Sequence, residues 1–292
     1  MKRILLLIAA ALALCELGAT WATGRLKSRQ SVRDDVRAAV ALGGPRSVLV
    51  VGNSLVLHGI DVPTVDRAMG TGYTATKLAI VDSGYLDWLY GIMSLFDRGS
   101  QPDVVVLAIS PAQLVADRPP TGTSARMVWT APNLVRYALE SRPGLTSASD
   151  RLFEHLSEFF AIRSRLRQDV RRLLVPGYET MSRKYFLPGS EAPDTVRDQR
   201  IAEERLRVLD SVCARHNARF VYLLIPTNTA EDRTVERTLV TAGQHMGVSV
   251  LVPISNQALD ARWLLDGYHL NEAGAVAFST RTGVALSAEL AR

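Results

Sequence analysis

Ser47-Val48-Leu49-Val50-Val51-Gly52-Asn53-Ser54 joins a short apolar run to a Gly-Asn-Ser turn. The run is rich in valine and lacks polar alternation, which is the pattern of a strand covered on both faces of a parallel sheet. Ser47–Val51 is therefore read as a first strand. The same pattern returns at Thr74–Val81, Val104–Ile109, Phe220–Ile225 and Val248–Val252. Helical periodicity fills gaps between these runs at Asp61–Met69, Tyr85–Phe96, Ile201–His216 and Thr234–Met246, the last stopped by Gly247. Asn271 caps a final helix from Glu272 to about Leu290. Alternating strands and helices of these lengths predict an α/β fold: a doubly wound, flavodoxin-like, five-stranded parallel sheet flanked by helices.

Residues 111–200 interrupt the rhythm. They contain no strong strand and several Pro and Gly, and one long amphipathic helix is expected over Arg151–Leu174. This region reads as a helical insertion after the third strand. Arg163, Arg165, Arg167, Arg171 and Arg172 crowd onto that helix. A solvated face is the plainer explanation, ahead of a surface for anionic lipid or glycan.

The 292 residues are enough for a sizeable core, and 47% hydrophobic content is globular. The net charge of +5 is modestly basic and permits an anionic partner without requiring one. No nucleic-acid motif accompanies it, and no nucleic-acid partner is expected. The two cysteines, Cys15 and Cys213, form no disulfide framework or zinc spacing; Cys213 reads as a small buried hydrophobe. No His pair has metal-ligand spacing with a supporting carboxylate, and neither a metal nor a cofactor is expected.

Lys2 and Arg3 precede an apolar run, Ile4–Leu14, followed by Cys15, Glu16 and a softer stretch, Leu17–Thr23. Residues 1–24 read first as a signal anchor, then as a cleaved signal, and last as a lipoprotein signal, because Leu14 is too large for the position before a lipidated cysteine. Glu16 is expected towards the outer end of the span and Trp21 at the interface. Residues 25–45 form a stalk with a short helix at Ser31–Leu42, and 46–292 the main domain. An extracytoplasmic domain is expected. The positive-inside rule opposes it, since Arg25, Lys27, Arg29 and Arg33 outnumber Lys2 and Arg3.

Ligands of an open parallel sheet bind beyond the C-terminal strand ends. Ser54 follows the first strand, Ser83 and Gly84 the second, Ser110 and Gln113 the third, Thr227 and Asn228 the fourth, and Asp266 and His269 the fifth. Ser54 opens a strand-to-helix turn that exposes its hydroxyl and offers its own N–H to an oxyanion. A serine hydroxyl needs a neighbouring base to act as a nucleophile. His269 is the candidate base, and Asp266 the carboxylate that holds the imidazole. Asn53 and Asn228 are candidates for lining the cleft. His58, four residues after Ser54, is a cleft candidate whose plainer reading is a helix-face or packing residue; Asp87 and Trp88 are cleft candidates behind Gly84, with core packing the plainer reading of Trp88.

Gly52-Asn53-Ser54-Leu55 after a strand, with Asp266-Gly267-Tyr268-His269-Leu270-Asn271 before the last helix, resembles the SGNH (GDSL-type) hydrolase superfamily over about residues 46–292. The resemblance implies that Ser54 is the nucleophile, that Asp266 and His269 complete the triad, and that Gly84 donates to the oxyanion hole. Two positions depart from the family pattern. Asn53 stands where Asp is usual. Ile109-Ser110-Pro111-Ala112-Gln113 lacks the family's oxyanion Asn, so either Ser110 or Gln113 substitutes or the hole is weaker. The membrane segment, the changed third block and the insertion resemble a membrane-tethered branch that moves acyl groups onto cell-envelope polymers.

The expected activity is a serine-dependent ester hydrolase or O-acyltransferase handling small acyl groups such as acetyl on a cell-envelope glycan. Its expected partners are an acyl-ester or glycan substrate, the membrane through the N-terminal segment and, for a transferase, a membrane-bound acyl donor protein. The alternative is a catalytically weak or inactive scaffold on the same fold. A nucleotide-binding domain is a weaker idea, because Ser54-Leu55-Val56 offers no glycine-rich phosphate loop.

Overall fold

The computed structural model describes residues 2–25, 27–70, 72–178 and 194–292. The chain divides into two compact units, one of Met1–Arg33 with Gly122–Glu191, the other of Asp34–Thr121 with Ala192–Arg292.

The second unit holds the sheet. Its strands are β1 (Ser47–Gly52), β2 (Thr74–Ala79), β3 (Val104–Ile109), β4 (Arg219–Leu224) and β5 (Ser249–Leu251), ordered β2-β1-β3-β4-β5 and parallel throughout. Val50 pairs with Lys77 on one side and Val106 on the other. Every residue of β1 and β3 is buried, which is why these strands read as continuous apolar runs. The edge strands are less covered, and both are shorter than expected. β2 stops at Ala79 because the chain turns at Asp82, whose φ of 62° lies in the left-handed region. β5 keeps only three residues, all half-buried.

Helices α3 (Ser54–Gly59) and α4 (Val62–Met69) follow β1, α5 (Tyr85–Asp97) follows β2, and α6 (Pro111–Val115) follows β3. The second half of the unit adds α11 (Thr195–Ala214), α12 (Ala230–Met246) and α13 (Glu272–Leu290). Two of these begin earlier than apolar periodicity suggests. Asp194 caps α11, accepting from Val196 N and Arg197 N, and Thr229 caps α12, accepting from Asp232 N. Val50, Val56, Val106, Ile225, Leu270 and Phe278 belong to one continuous core.

The first unit is helical: α1 (Lys2–Gly24), the start of α2 (Lys27–Ala41), α7 (Gly122–Met127), α8 (Ala131–Glu140), α9 (Gly144–Leu156) and α10 (Glu158–Leu174). The single helix expected over Arg151–Leu174 is broken. Ser157 is extended at φ −128°, ψ 126°, and its hydroxyl accepts Phe160 N, so it ends α9 and caps α10. On α10, Arg163 is ion-paired to Asp150 and Glu154, while Arg167 and Arg171 are exposed; the Arg165 side chain lies outside the described residues.

Gly52 ends β1 where no side chain fits, because a methyl there would overlap the Ala108 carbonyl of β3 and the Val56 side chain of α3. Overpacking of this kind costs about 1–3 kcal/mol. Gly52→Ala is therefore expected to lower unfolding stability by that order in urea denaturation followed by circular dichroism. An unchanged midpoint would show that β1 has slack at this end.

Candidate active site

The site lies at the C-terminal ends of β1 and β3, where the connections leave the sheet in opposite directions. Asn53 is the N-cap of α3: its side-chain oxygen accepts Leu55 N at 3.0 Å. This places Ser54 at the first helical position, where the backbone N–H has no acceptor within the helix. On the other side, Asp266 Oδ1 accepts both Tyr268 N (3.0 Å) and His269 N (2.8 Å), folding the loop around Gly267. Gly267 has φ 83°, a conformation that favours glycine. Leu265 N donates to His269 O at 2.8 Å, and Asn271 caps α13 while its amide nitrogen donates to Arg262 O. The loop carrying His269 is thus fastened on both flanks.

Ser54 Oγ stands 3.0 Å from His269 Nε2, and His269 Nδ1 stands 2.8 Å from Asp266 Oδ2. The backbone and side-chain hydrogen bonds from His269 hold the Asp266 carboxyl down at about 2. An ionised Asp266 only accepts, so Nδ1 carries the proton and Nε2 of the neutral ring is left to accept from the Ser54 hydroxyl. The His269 side chain is about one-fifth exposed and that of Asp266 about half, so the cluster opens to solvent.

Beneath it runs a buried amide relay. Asn53 Nδ2 donates to Gln113 Oε1 at 2.9 Å, and Gln113 Nε2 donates to Tyr268 OH at 2.7 Å. Gln113 Oε1 also receives Ser110 N at 3.4 Å. Gln113 therefore connects the turns after β1 and β3 to the His269 loop. Its helix is anchored in turn by buried Asp232, whose Oδ1 accepts Ala112 N at 2.8 Å. Burial and the nearby Asp232 charge push the Tyr268 phenol up to about 12, so it stays a neutral donor and acceptor.

The other candidates divide. Gly84 caps α5, and its N–H donates to Asp87 Oδ2 at 2.9 Å, so an oxyanion would compete with that carboxylate for it. Gly84 is extended, and a Cβ there would lie a tight 3.1 Å from Arg118 Cβ. Ser110 is buried, and its side chain interacts with the Tyr268 hydroxyl. Asn228 is exposed and engaged by Arg233, with no bond to the Ser54–His269 pair. Trp88 is core, donating to Ser83 Oγ at 2.8 Å.

Three residues matter more than the sequence indicated. His58, for which a helix-face or packing role is the plainer reading beside a place in the cleft, puts its ring centroid 5.0 Å from that of His269. Desolvation, with His269 beside it, holds the His58 imidazole below the usual histidine range. Tyr268 packs edge-on against His269 at 5.1 Å. Asp232 carried a visible signal only as the third residue behind a Thr229 cap; its reach to Ala112 is tertiary.

No family model and no curated protein matches the chain. Among the solved structures that match the chain are these two. One is LAE5, described as an alpha/beta hydrolase enzyme from the metagenome of Lake Arreo, Spain, at 12% identity over 84% of this chain and 98% of that one, with a TM-score of 0.43. The other is a putative platelet activating factor from Streptococcus pneumonia, at 13% identity over 96% and 97%, with a TM-score of 0.37.

The lowered Asp266 value has a sign that is open to test. A carboxyl depressed in the folded state stabilises above its ordinary value of 3.8 and loses that contribution as pH falls through about 2. Carbonyl NMR of labelled Asp266 should titrate near 2 in the wild type and move up towards 3.8 in His269→Ala. Equal midpoints in the two proteins would mean that the imidazole adds nothing to the backbone N–H groups of residues 268 and 269, which His269→Ala retains.

Proposed function

We propose that the protein is a serine-dependent ester hydrolase or O-acyltransferase, handling small acyl groups such as acetyl on a cell-envelope glycan, and tethered to the membrane through α1. The observation that carries this reading is the unbroken hydrogen-bond line from Ser54 Oγ through His269 to an ionised Asp266. The Ser-Asp-His pattern shared with SGNH hydrolases supports it, and so does a helix long and apolar enough to cross a bilayer or act as a signal sequence.

In the proposed reaction His269 Nε2 takes the Ser54 proton as Oγ attacks the ester carbonyl. The oxyanion of the tetrahedral intermediate accepts from the Ser54 N–H, with the Gly84 N–H as a second donor once it is shared away from Asp87. The imidazolium, stabilised by Asp266, returns its proton to the leaving alkoxide. Water or a sugar hydroxyl, deprotonated by the same ring, then takes the acyl group as the Ser54 Oγ–acyl bond breaks, and the imidazolium returns the proton to Ser54 Oγ. Gln113 acts here as a positioning residue, since its amide joins Asn53 to Tyr268.

A second reading is a scaffold on the same fold that assists envelope polysaccharide assembly without chemistry. The engagement of Gly84 N–H by Asp87 favours it. Full function in cells from both Ser54→Ala and His269→Ala would decide for the scaffold.

A fluorophosphonate probe should label the wild type and leave Ser54→Ala unlabelled; equal labelling removes Ser54 from the role. Asp266→Asn should lower kcat on a small aryl ester by about 10³–10⁴-fold with little change in KM, because it leaves the ring in the wrong tautomer. A loss confined to KM would assign Asp266 to binding.

A further inference from the structure

Glu16 is the one acidic residue of α1. Its carboxylate accepts Ser157 Oγ at 2.6 Å, Glu158 N at 2.6 Å and Phe159 N at 3.2 Å. These are the cap and first two residues of α10, whose free N–H groups favour an anion. An ionisable residue inside an apolar helix is costly in lipid unless it is paired, and here the elbow between α9 and α10 supplies three donors.

The elbow is inverted relative to a water-facing surface. Its carboxylates are buried: Glu154 is paired with Arg151 and Arg163, and Glu158 with Arg29 and Arg126. Its exposed side chains are apolar, with Leu152 at 45%, Phe153 at 48% and Leu156 at 64%. Soluble surfaces rarely expose such a cluster while burying acids.

Depth follows from helix geometry. Trp21 is exposed, with the Arg25 guanidinium 4.0 Å over its ring, a pairing suited to the membrane interface. Glu16 lies five residues earlier, about 8 Å further along the helix at 1.5 Å per residue. With α1 across the bilayer and Trp21 at its interface, the elbow bound to Glu16 sits below the headgroups. Leu152, Phe153 and Leu156 then meet acyl chains rather than water.

We infer that the α9–α10 elbow is inserted in the bilayer beside α1, held there by Glu16, and that α1 is consequently retained in the mature protein. The inference rests on the reading of α1 as a membrane tether. Signal cleavage would remove the acceptor for Ser157, Glu158 and Phe159 together.

The test uses the full chain in phosphatidylcholine–phosphatidylglycerol vesicles. Single nitroxide labels are placed at Leu17→Cys, Leu156→Cys and Arg237→Cys in a Cys15→Ser, Cys213→Ala background. Relaxation by oxygen and by an aqueous nickel chelate reports depth. Labels at 17 and 156 should both favour oxygen, and the label at exposed 237 should favour nickel. A label at 156 that matches 237, while 17 remains lipid-like, overturns the inserted elbow and leaves the tether intact. A water-like label at 17, or an intact mass of the mature protein lacking α1, overturns both. Glu16→Leu makes α1 more apolar, yet should shift the label at 156 towards nickel accessibility while leaving 17 unchanged. No shift at 156 would overturn the part given to Glu16.

Discussion

Leu270 rests on Gly59 at the end of α3, so closely that a methyl on Gly59 would stand 3.3 Å from Leu270 Cδ1. The same surface continues along α13, where Gly283 meets α4 with no room for a side chain: a methyl there would lie 2.6 Å from Val65 O. Ser279 Oγ accepts Asp61 N at 2.9 Å between these points. Burying Leu270 and Phe278 in the core therefore lays the last helix against the first two helices of the sheet unit. His269 is adjacent to Leu270 in sequence, and Ser54 begins the helix that ends at Gly59. The 3.0 Å approach of His269 to Ser54, across 215 residues of sequence, follows from that packing.

The amide relay gives the approach its orientation. Asn53, Gln113 and Tyr268 come from three separate connections, and each satisfies a polar group that would otherwise be buried unpaired. Losing the Gln113 amide would leave the buried Asn53 Nδ2 without this acceptor, at about 1–3 kcal/mol for a buried group. This explains how a chain with Gln113 in the third block keeps an ordered site. The Gln113 amide is spent on alignment, joining Asn53 to Tyr268. Asp87 holds the Gly84 N–H meanwhile, which makes the donor available only by exchange.

Much of this was legible in the sequence for physical reasons. β1 and β3 are buried on both faces, and their runs of Val, Leu and Ile could serve little else. Asn271 was readable as a cap because its side chain acts on Gly274, three residues away. The misses came where a local cap outweighed apolar periodicity: Ser157 split one expected helix into two, and Asp194 and Thr229 started helices early. The relay through Gln113, the Asp232–Ala112 bond and the His58–His269 contact were not legible. Each joins residues that no spacing rule relates, and only the completed sheet brings them together.

The central claim is that Ser54 forms a covalent acyl intermediate under the control of His269. Intact-protein mass spectrometry after brief exposure to a small acyl ester, with peptide mapping of the product, tests it most directly. The account predicts one acyl group on the peptide containing Ser54 in the wild type, none in His269→Ala, and faster loss of the group when a sugar acceptor is added if the protein is a transferase. Ester turnover with no adduct at Ser54, or an adduct that forms equally well without His269, would contradict it.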